Sequence, residues 1–364
     1  MTFLIVAGGT GGHIFPALAV AEELRGRGAR LERCGMKYVI EFLGTQRPLE
    51  ARLIPAAGFP LRTVRAAGLK GMGGLRGFRN LMLLPRTAVA TAGILRDVQP
   101  QVVIGVGGYL AGPVMLEAAL HDIPTLLIEP NAQPGFTNRA LAPVVRLAAV
   151  GFAQAARCYG EKARVTGHPI RAAFHAIAPK RHTSPLSILV VGGSQGSRAI
   201  NTAMRDCAPL LKRDAGWLEV VHQTGEADYH AAREAYTEHG VAARVEAFID
   251  DMPKELAQAD LVISRAGATA VAELAAAGRA SLLIPFPAAT DQHQLANARA
   301  LEQVGAARVI LQTDLTPERL MTEIHELLGE PSKLTEMEQA AKRLESPDAA
   351  ARIADLAEDL ARRM

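Results

Sequence analysis

One pattern occurs twice in this chain and constrains the fold more than any other feature. Residues 5–11 read Ile-Val-Ala-Gly-Gly-Thr-Gly, and residues 188–196 read Ile-Leu-Val-Val-Gly-Gly-Ser-Gln-Gly. Each is a short apolar strand running into Gly-Gly, a hydroxyl residue and a further glycine, with a helix-compatible stretch behind it. A second pair keeps the same order: residues 102–109 then 110–120 in the first half, residues 261–267 then 268–277 in the second. After those helices come two more apolar strands with polar loops at their ends, residues 124–129 and 280–285. Strands alternating with helices imply right-handed βαβ units. The expected fold class is therefore α/β, with two Rossmann-like parallel sheets whose ligand loops gather at the strands' C-terminal ends and face each other across a cleft.

The length of 364 residues suits two domains, expected at 1–168 and 169–345. The boundary falls within residues 168–184, where the proline-bounded stretch 179–185 has the composition of a linker. The last helical stretch, residues 349–363, fits either domain by sequence, and joining 346–364 to the first is one arrangement. Hydrophobic residues make up 49% and aromatics only 4%, which suits helices packed on parallel sheets better than a sandwich or barrel. The formal charge of +3 gives no general affinity for nucleic acid. Cys34, Cys158 and Cys207 are scattered, so neither a disulfide framework nor a thiolate metal site is indicated, and a reducing cytoplasm fits. No signal peptide or membrane span is expected.

Glycine lets backbone approach a ligand, and a helix start offers unpaired N–H groups, so phosphate is the natural guest of such loops. The helix dipole supplies only ~0.3 to 1 kcal/mol, so hydrogen bonds from N–H groups and from Thr10 or Ser194 must carry most of the attraction. G-x-G-x-x-G fails, because Ile14 stands where Gly9 and Gly11 need a third glycine, and Gln195 and Arg198 interrupt the second loop. No Lys-Ser/Thr follows at P-loop spacing. Residues 192–196 do satisfy G-x-S-x-G, which keeps open a serine hydrolase using Ser194 with His293 and Asp250 or Asp291.

His13 is the titratable residue of the first loop. It either packs at a helix start or acts as a general base toward a sugar or alcohol hydroxyl. Pro16 reads as a first-turn proline. Glu273 sits in an otherwise apolar helix, either on a solvated face or leaning over Thr269 toward Gly267, where a ribose diol would give it two donors. Asp291, Gln292, His293 and Gln294 form a polar cluster apt for hydroxyl recognition. No ligand spacing supports a metal. Between Glu50 and Asp97 there is no acidic residue, while Lys70, Arg76, Arg79 and Arg86 are interleaved with Phe78 and Leu83. Basic residues near an anionic leaflet contribute ~1 kcal/mol each, so this stretch is either a reversible membrane contact or a solvated helix face.

Together, residues 8–19, 105–113, 192–196, 248–252 and 264–273 make a set that resembles the MurG family, the N-acetylglucosaminyltransferases of peptidoglycan synthesis. The resemblance implies the two-domain GT-B fold and a peripheral enzyme on the cytoplasmic face of the bacterial inner membrane, serving cell-wall growth, shape and division. It implies an inverting transfer of N-acetylglucosamine from UDP-N-acetylglucosamine to the 4-hydroxyl of lipid I, giving lipid II. No cofactor or metal is implied; anionic membrane lipids and other cell-wall synthesis proteins are the implied further partners.

Carried over by position, the donor site comprises Thr10, Gly11, Gly12, Asn131, Arg171, Ser194, Gln195, Gly196, Ile249, Gly267, Ala268, Thr269, Ala270, Val271, Ala272, Glu273, His293 and Gln294. Ser194 and its loop take the pyrophosphate, Ile249 the uracil edge, Glu273 the ribose, and residues 291–294 the sugar hydroxyls. Gly9, Gly107, Gly108 and Tyr109 receive the acceptor diphosphate, and His13, a carboxylate or Asn131 is the base. The chain departs from the family pattern at residues 33–38, at Pro130 where glutamine is usual, and at His168 where asparagine is usual. A non-catalytic UDP-sugar sensor and a GT-B enzyme with another acceptor remain alternatives.

Overall fold

The computed structural model describes residues 1–8, 11–32, 35–64, 83–193, 195–214 and 216–363, with backbone only at 83–88 and 290. The chain forms two compact units, Met1–Ile170 with Ser346–Met364, and Arg171–Glu345.

The first unit is built on strands β1 (Thr2–Val6), β2 (Val39–Gly44), β3 (Leu61–Thr63), β4 (Val102–Gly105), β5 (Thr125–Glu129), β6 (Leu147–Val150) and β7 (Ala163–Val165). They form one parallel sheet in the order β3-β2-β1-β4-β5-β6-β7. Helices α1 (Gly11–Leu31), α2 (Pro48–Ala56), α3 (Leu83–Val98), α4 (Gly108–Leu120) and α5 (Phe136–Leu141) connect them. β1 is apolar at nearly every position because both sheet faces are covered. Phe3 and Ile5 pack with Ile14, Val20 and Leu24 of α1, while Leu4 and Val6 pack with Leu110, Val114 and Met115 of α4. Pro16 lies inside α1, one turn beyond its start, so the backbone bond it would donate to the Gly12 carbonyl cannot form. The first-turn expectation placed the helix start too late, because Gly11 and Gly12 read as loop yet are helical.

The second unit holds β8 (Leu186–Val191), β9 (Leu218–Gln223), β10 (Ala243–Glu246), β11 (Leu261–Ser264), β12 (Ser281–Leu283) and β13 (Ala307–Val309). They are parallel in the order β10-β9-β8-β11-β12-β13. Its helices are α6 (Ala172–His175), α7 (Arg198–Asp206), α8 (Ala208–Leu211), α9 (Tyr229–His239), α10 (Met252–Gln258), α11 (Ala268–Ala277), α12 (His293–Glu302), α13 (Pro317–Leu328) and α14 (Pro331–Lys342). The core joins Ile188, Val190, Ile263 and Leu282 to Ile200, Met204, Leu320 and Ile324. The last helix, α15 (Ala349–Arg362), returns to the first unit. There Ile353, Ala354, Ala357 and Leu360 share the core of Phe3 and Ile5, and Arg27 of α1 donates to the Ala351 carbonyl at 2.9 Å.

Residues 179–185 are not a linker but part of the second unit. Lys180 Nζ and His182 Nδ1 bond the fully buried Asp260 at 2.6 and 2.8 Å, and the Ser187 N–H donates to it at 2.7 Å. Prolines and charges suggested a linker, yet those charges are spent inside the fold. Among the described residues no helix is long and apolar enough to cross a membrane.

In each sheet the strand order reverses once, between β1 and β4 and between β8 and β11. Loops leaving neighbouring strands diverge there and open a crevice. The four glycine loops singled out by the repeat are the ones that flank these two points.

Candidate functional site

In the first unit, Gly8 follows β1 and α1 opens at Gly11, with Gly9 and Thr10 outside the described residues. His13 is half-buried in the first turn of α1, after Gly12. Gly107 caps α4 at φ 91°, and Gly108 follows at φ 81°, conformations that side-chain-bearing residues rarely adopt. A Cβ on Gly108 would stand 2.9 Å from the Gly8 carbonyl oxygen, so the β1 and β4 loops touch backbone to backbone. A Cβ on Gly107 would stand 3.4 Å from His13 Nε2 and 3.3 Å from Asn138 Oδ1. The imidazole therefore lies against the Gly107–Gly108 turn. Burial, aided by the nearness of His13, pushes the His168 imidazole down to about 3, so His168 is neutral at all ordinary pH.

Tyr109 projects from the first turn of α4, with the Arg47 guanidinium 5.4 Å from its ring centre. Asn131 follows β5, and both its N–H and its Nδ2 donate to Glu129 Oε1, at 2.9 and 3.2 Å. Asn138 Nδ2 donates to Glu129 Oε2 at 2.8 Å and Tyr159 OH at 3.4 Å. Burial holds the Glu129 carboxyl above the usual range, and the hydrogen bonds from Asn131, Asn138 and Tyr159 offset part of that rise. Glu129 was missed in the sequence because it ends an apolar strand and its partners are spread over thirty residues.

In the second unit, Ser194 lies outside the described residues, while Gly193 and Gly196 stand at φ 89° and 76°. A Cβ on Gly196 would fall 1.8 Å from the Thr224 carbonyl oxygen, so the Gln195–Gly196 turn presses on the loop after β9. Gln223 joins two parts of the site: its Nε2 donates to the Gly193 carbonyl at 2.8 Å, and its Oε1 accepts from the Ile249 N–H at 3.2 Å. A ligand edge at Ile249 would thus meet the carbonyl rather than the N–H. Asn201 secures the same corner, donating to the Thr224 carbonyl and Asp228 at 2.8 Å each, and its Oδ1 lies 3.1 Å from the buried His222.

Gly267 caps α11 with ordinary extended dihedrals, and a Cβ there would meet nothing within 4 Å. Ala268, Thr269 and Ala270 form the first turn, which carries no acidic residue, with Val271 and Ala272 behind them. The start of a helix with open space beside Gly267 suits an anion. Glu273 is held up to about 7 by burial, against the lowering charge of Arg171. Arg171 caps α6 with its guanidinium 4.9 Å from the Phe174 ring.

Asp291 and Gln292 take left-handed conformations, making a tight corner into α12 at His293. Gln294 Oε1 accepts from the Phe286 N–H at 2.9 Å, so its NH2 is the group that faces elsewhere. Arg265, also unsuspected from sequence, is fixed by the Ile284 carbonyl and Gln312 at 2.9 and 2.8 Å. Burial pushes its pKa down to about 10.

The residues expected at a membrane are not placed: Lys70, Arg76, Phe78 and Arg79 lie outside the described residues, and Leu83 and Arg86 have only backbone described in α3. Among the described residues no cluster of His, Cys, Asp or Glu could hold a metal.

Two parallel Rossmann-like units, each with glycine loops and helix starts at its switch point, have the GT-B architecture, and the family models that match them make the chain a glycosyltransferase. Residues 3–150 match the glycosyltransferase family 28 N-terminal domain, and residues 187–353 its C-terminal domain. A UDP-N-acetylglucosamine–N-acetylmuramyl-(pentapeptide) pyrophosphoryl-undecaprenol N-acetylglucosamine transferase from Solibacter usitatus is 41% identical over 99% of this chain and 96% of its own. One of the same name from Anaeromyxobacter sp. is 45% identical over 100% of this chain and 94% of its own. The crystal structure of Acinetobacter baumannii MurG superposes with a TM-score of 0.79 at 31% identity, covering 99% and 100% of the two chains. The chain belongs to the MurG family.

Proposed function

We propose that this chain transfers N-acetylglucosamine from UDP-N-acetylglucosamine to the 4-hydroxyl of undecaprenyl-diphospho-N-acetylmuramoyl-pentapeptide. The observation that carries this reading is the match to transferases of that name, at 41% and 45% identity, across both units. In the second unit, the loop of Gln195 and Gly196 (with Ser194) and the α11 start at Gly267 to Ala272 would hold the donor diphosphate. Glu273 would take the ribose hydroxyls, the Ile249 carbonyl the uracil edge, and His293 and Gln294 the transferred sugar, with Arg171 and Asn131 completing the donor set.

In the first unit, the turns of Gly9, Gly107 and Gly108, with Tyr109 at the start of α4, would receive the acceptor diphosphate, and Thr10, Gly11 and Gly12 would belong to the donor set. His13 Nε2 would remove the proton of the 4-hydroxyl as that oxygen attacks the anomeric carbon. The carbon–oxygen bond to UDP breaks in the same displacement, and UDP leaves with the electron pair, inverting the sugar from α to β. Positioning and a base of suitable pKa serve such a displacement without a covalent intermediate.

The basic stretch with Lys70, Arg76, Arg79, Arg86, Phe78 and Leu83 would rest on the anionic cytoplasmic leaflet that carries the acceptor. Cosedimentation with phosphatidylglycerol vesicles, lost on replacing those cations, is the test of that part.

The decisive experiment is transfer of labelled N-acetylglucosamine to a short-chain lipid I analogue, with undecorated lipids as controls. Stoichiometric fluorophosphonate labelling of Ser194 would instead reveal a hydrolase. Tight UDP-N-acetylglucosamine binding with no turnover on any lipid acceptor would reveal a sensor.

A further inference from the structure

Glu129 has no exposed surface, and its two oxygens divide their donors. Oε1 takes both the N–H and the Nδ2 of Asn131; Oε2 takes Asn138 Nδ2 and Tyr159 OH. A carboxylate accepts and does not donate, so an amide beside it presents its NH2 and turns its carbonyl oxygen away. Asn138 is 5% exposed, and its Oδ1 is buried and receives no hydrogen bond from the described residues. A Cβ on Gly107 would stand 3.3 Å from that oxygen, 3.4 Å from Asn138 Nδ2 and 3.4 Å from His13 Nε2, so the amide edge and the imidazole border the same point, with Oδ1 the nearest atom. A buried acceptor left unmatched is costly, and a fold keeps one where a ligand supplies the donor.

We propose that Glu129 is a positioning residue that locks the Asn138 amide with its oxygen toward His13, where it accepts a hydrogen bond from the 6-hydroxyl of the acceptor sugar. This rests on the reading of the first unit as the acceptor side. In an N-acetylmuramoyl unit, position 1 carries the diphosphate, position 2 the acetamide and position 3 the lactyl ether. That leaves the 4-hydroxyl to attack and the 6-hydroxyl as its free neighbour. A phosphate oxygen would set acceptor against acceptor at Asn138, so this point selects neutral sugar. Holding the 6-hydroxyl fixes the ring's rotation and so decides which hydroxyl meets His13.

Glu129→Gln keeps the side chain's shape but turns one oxygen into a donor. With Oε1 retained for Asn131, the new NH2 faces Asn138, whose amide must rotate and aim NH2 into the site. Asn138→Asp sets a second carboxylate against Glu129. Combining the two restores a donor and an acceptor with their polarity reversed and leaves an oxygen toward His13. Each single variant is expected to lose about 10- to 100-fold in kcat/KM for the lipid I analogue, with donor Kd unchanged. The double variant is expected to recover to within about fivefold of the wild type.

A 6-deoxy acceptor should cost the wild type about tenfold or more and cost Glu129→Gln almost nothing further, a comparison within each protein that does not depend on its stability. Thermal midpoints of all four proteins separate this from a merely structural role, in which activity would follow the midpoint. Full activity in Glu129→Gln, no recovery in a double variant of wild-type midpoint, or equal use of the 6-deoxy acceptor by the wild type overturns the proposal. A wild type that transfers to no lipid I analogue fails the functional reading itself, and this role for Glu129 falls with it.

Discussion

His13 and Glu273 illustrate what a single side chain gains from its surroundings. His13 lies against a turn of two glycines, with the neutral His168 near enough to feel its charge. Replacing it with alanine is expected to lower turnover by ~10² to 10⁴-fold, the usual span for a lost general base, with UDP-N-acetylglucosamine affinity unchanged. Unchanged turnover would return His13 to a packing role. Glu273 titrates near 7 because burial resists its charge. It is mostly ionised at pH 8 and mostly protonated at pH 6, and the ionised form accepts more strongly from both hydroxyls of a diol. Donor affinity measured by calorimetry should therefore weaken as pH falls through 7, by up to about tenfold per unit, and Glu273→Gln should flatten that dependence. A slope that survives in Glu273→Gln would take this residue off the ribose. Both residues stood out as candidates in the sequence because a titratable group sat in a glycine loop or an apolar helix. Glu129, Gln223 and Arg265 were not, since each acts through hydrogen bonds to backbone or side chains that only the fold brings near.

At the scale of elements, the repeated strand, glycine loop and helix was readable because strands buried on both faces need continuous apolar runs. What each glycine does was not readable, since a close chain–chain approach and an open ligand floor call for the same letter. Gly196 is the first kind: an added Cβ would meet the Thr224 carbonyl, which is backbone and cannot swing aside. Gly196→Ala should destabilise the second unit by at least ~2 kcal/mol in urea unfolding, from overlap and from its left-handed φ. Gly267 is the second kind, with ordinary dihedrals and open space. Gly267→Ala should cost no more than ~1 kcal/mol of stability yet weaken the donor measurably. Equal donor affinity in that variant would show that no ligand approaches the start of α11. Pro16 and residues 179–185 misled for related reasons. A proline one turn inside a helix and a charged strap pinned by a buried Asp260 share their composition with a helix start and a loose linker.

Across the whole molecule, the second unit carries a pH dependence of its own. His182 bonds Asp260 and lies 3.3 Å from Glu338, which together hold its imidazole up at about 9. The unfolded value is ~6.5, so the stabilisation is fully present below that pH and is lost as pH rises through 9. Unfolding of the second unit should weaken by ~1 to 3 kcal/mol between pH 6.5 and 9.5, and His182→Gln should remove most of that slope. A slope unchanged in His182→Gln would assign it to other groups. The sequence left the last helix without a home because an amphipathic stripe fits any apolar sheet face. The fold resolves this through Ile353, Ala354, Ala357 and Leu360, which complete the core of Phe3 and Ile5. The first unit is therefore interrupted by the second along the chain. On the ribosome, its strands and α1 emerge early, while the helix that covers them follows only after residues 171–345. At ~5 to 20 residues per second, that apolar groove stays uncovered in the nascent protein for roughly ten to forty seconds. The first half to be made is the last to be finished, and during that interval it is a natural client for a chaperone.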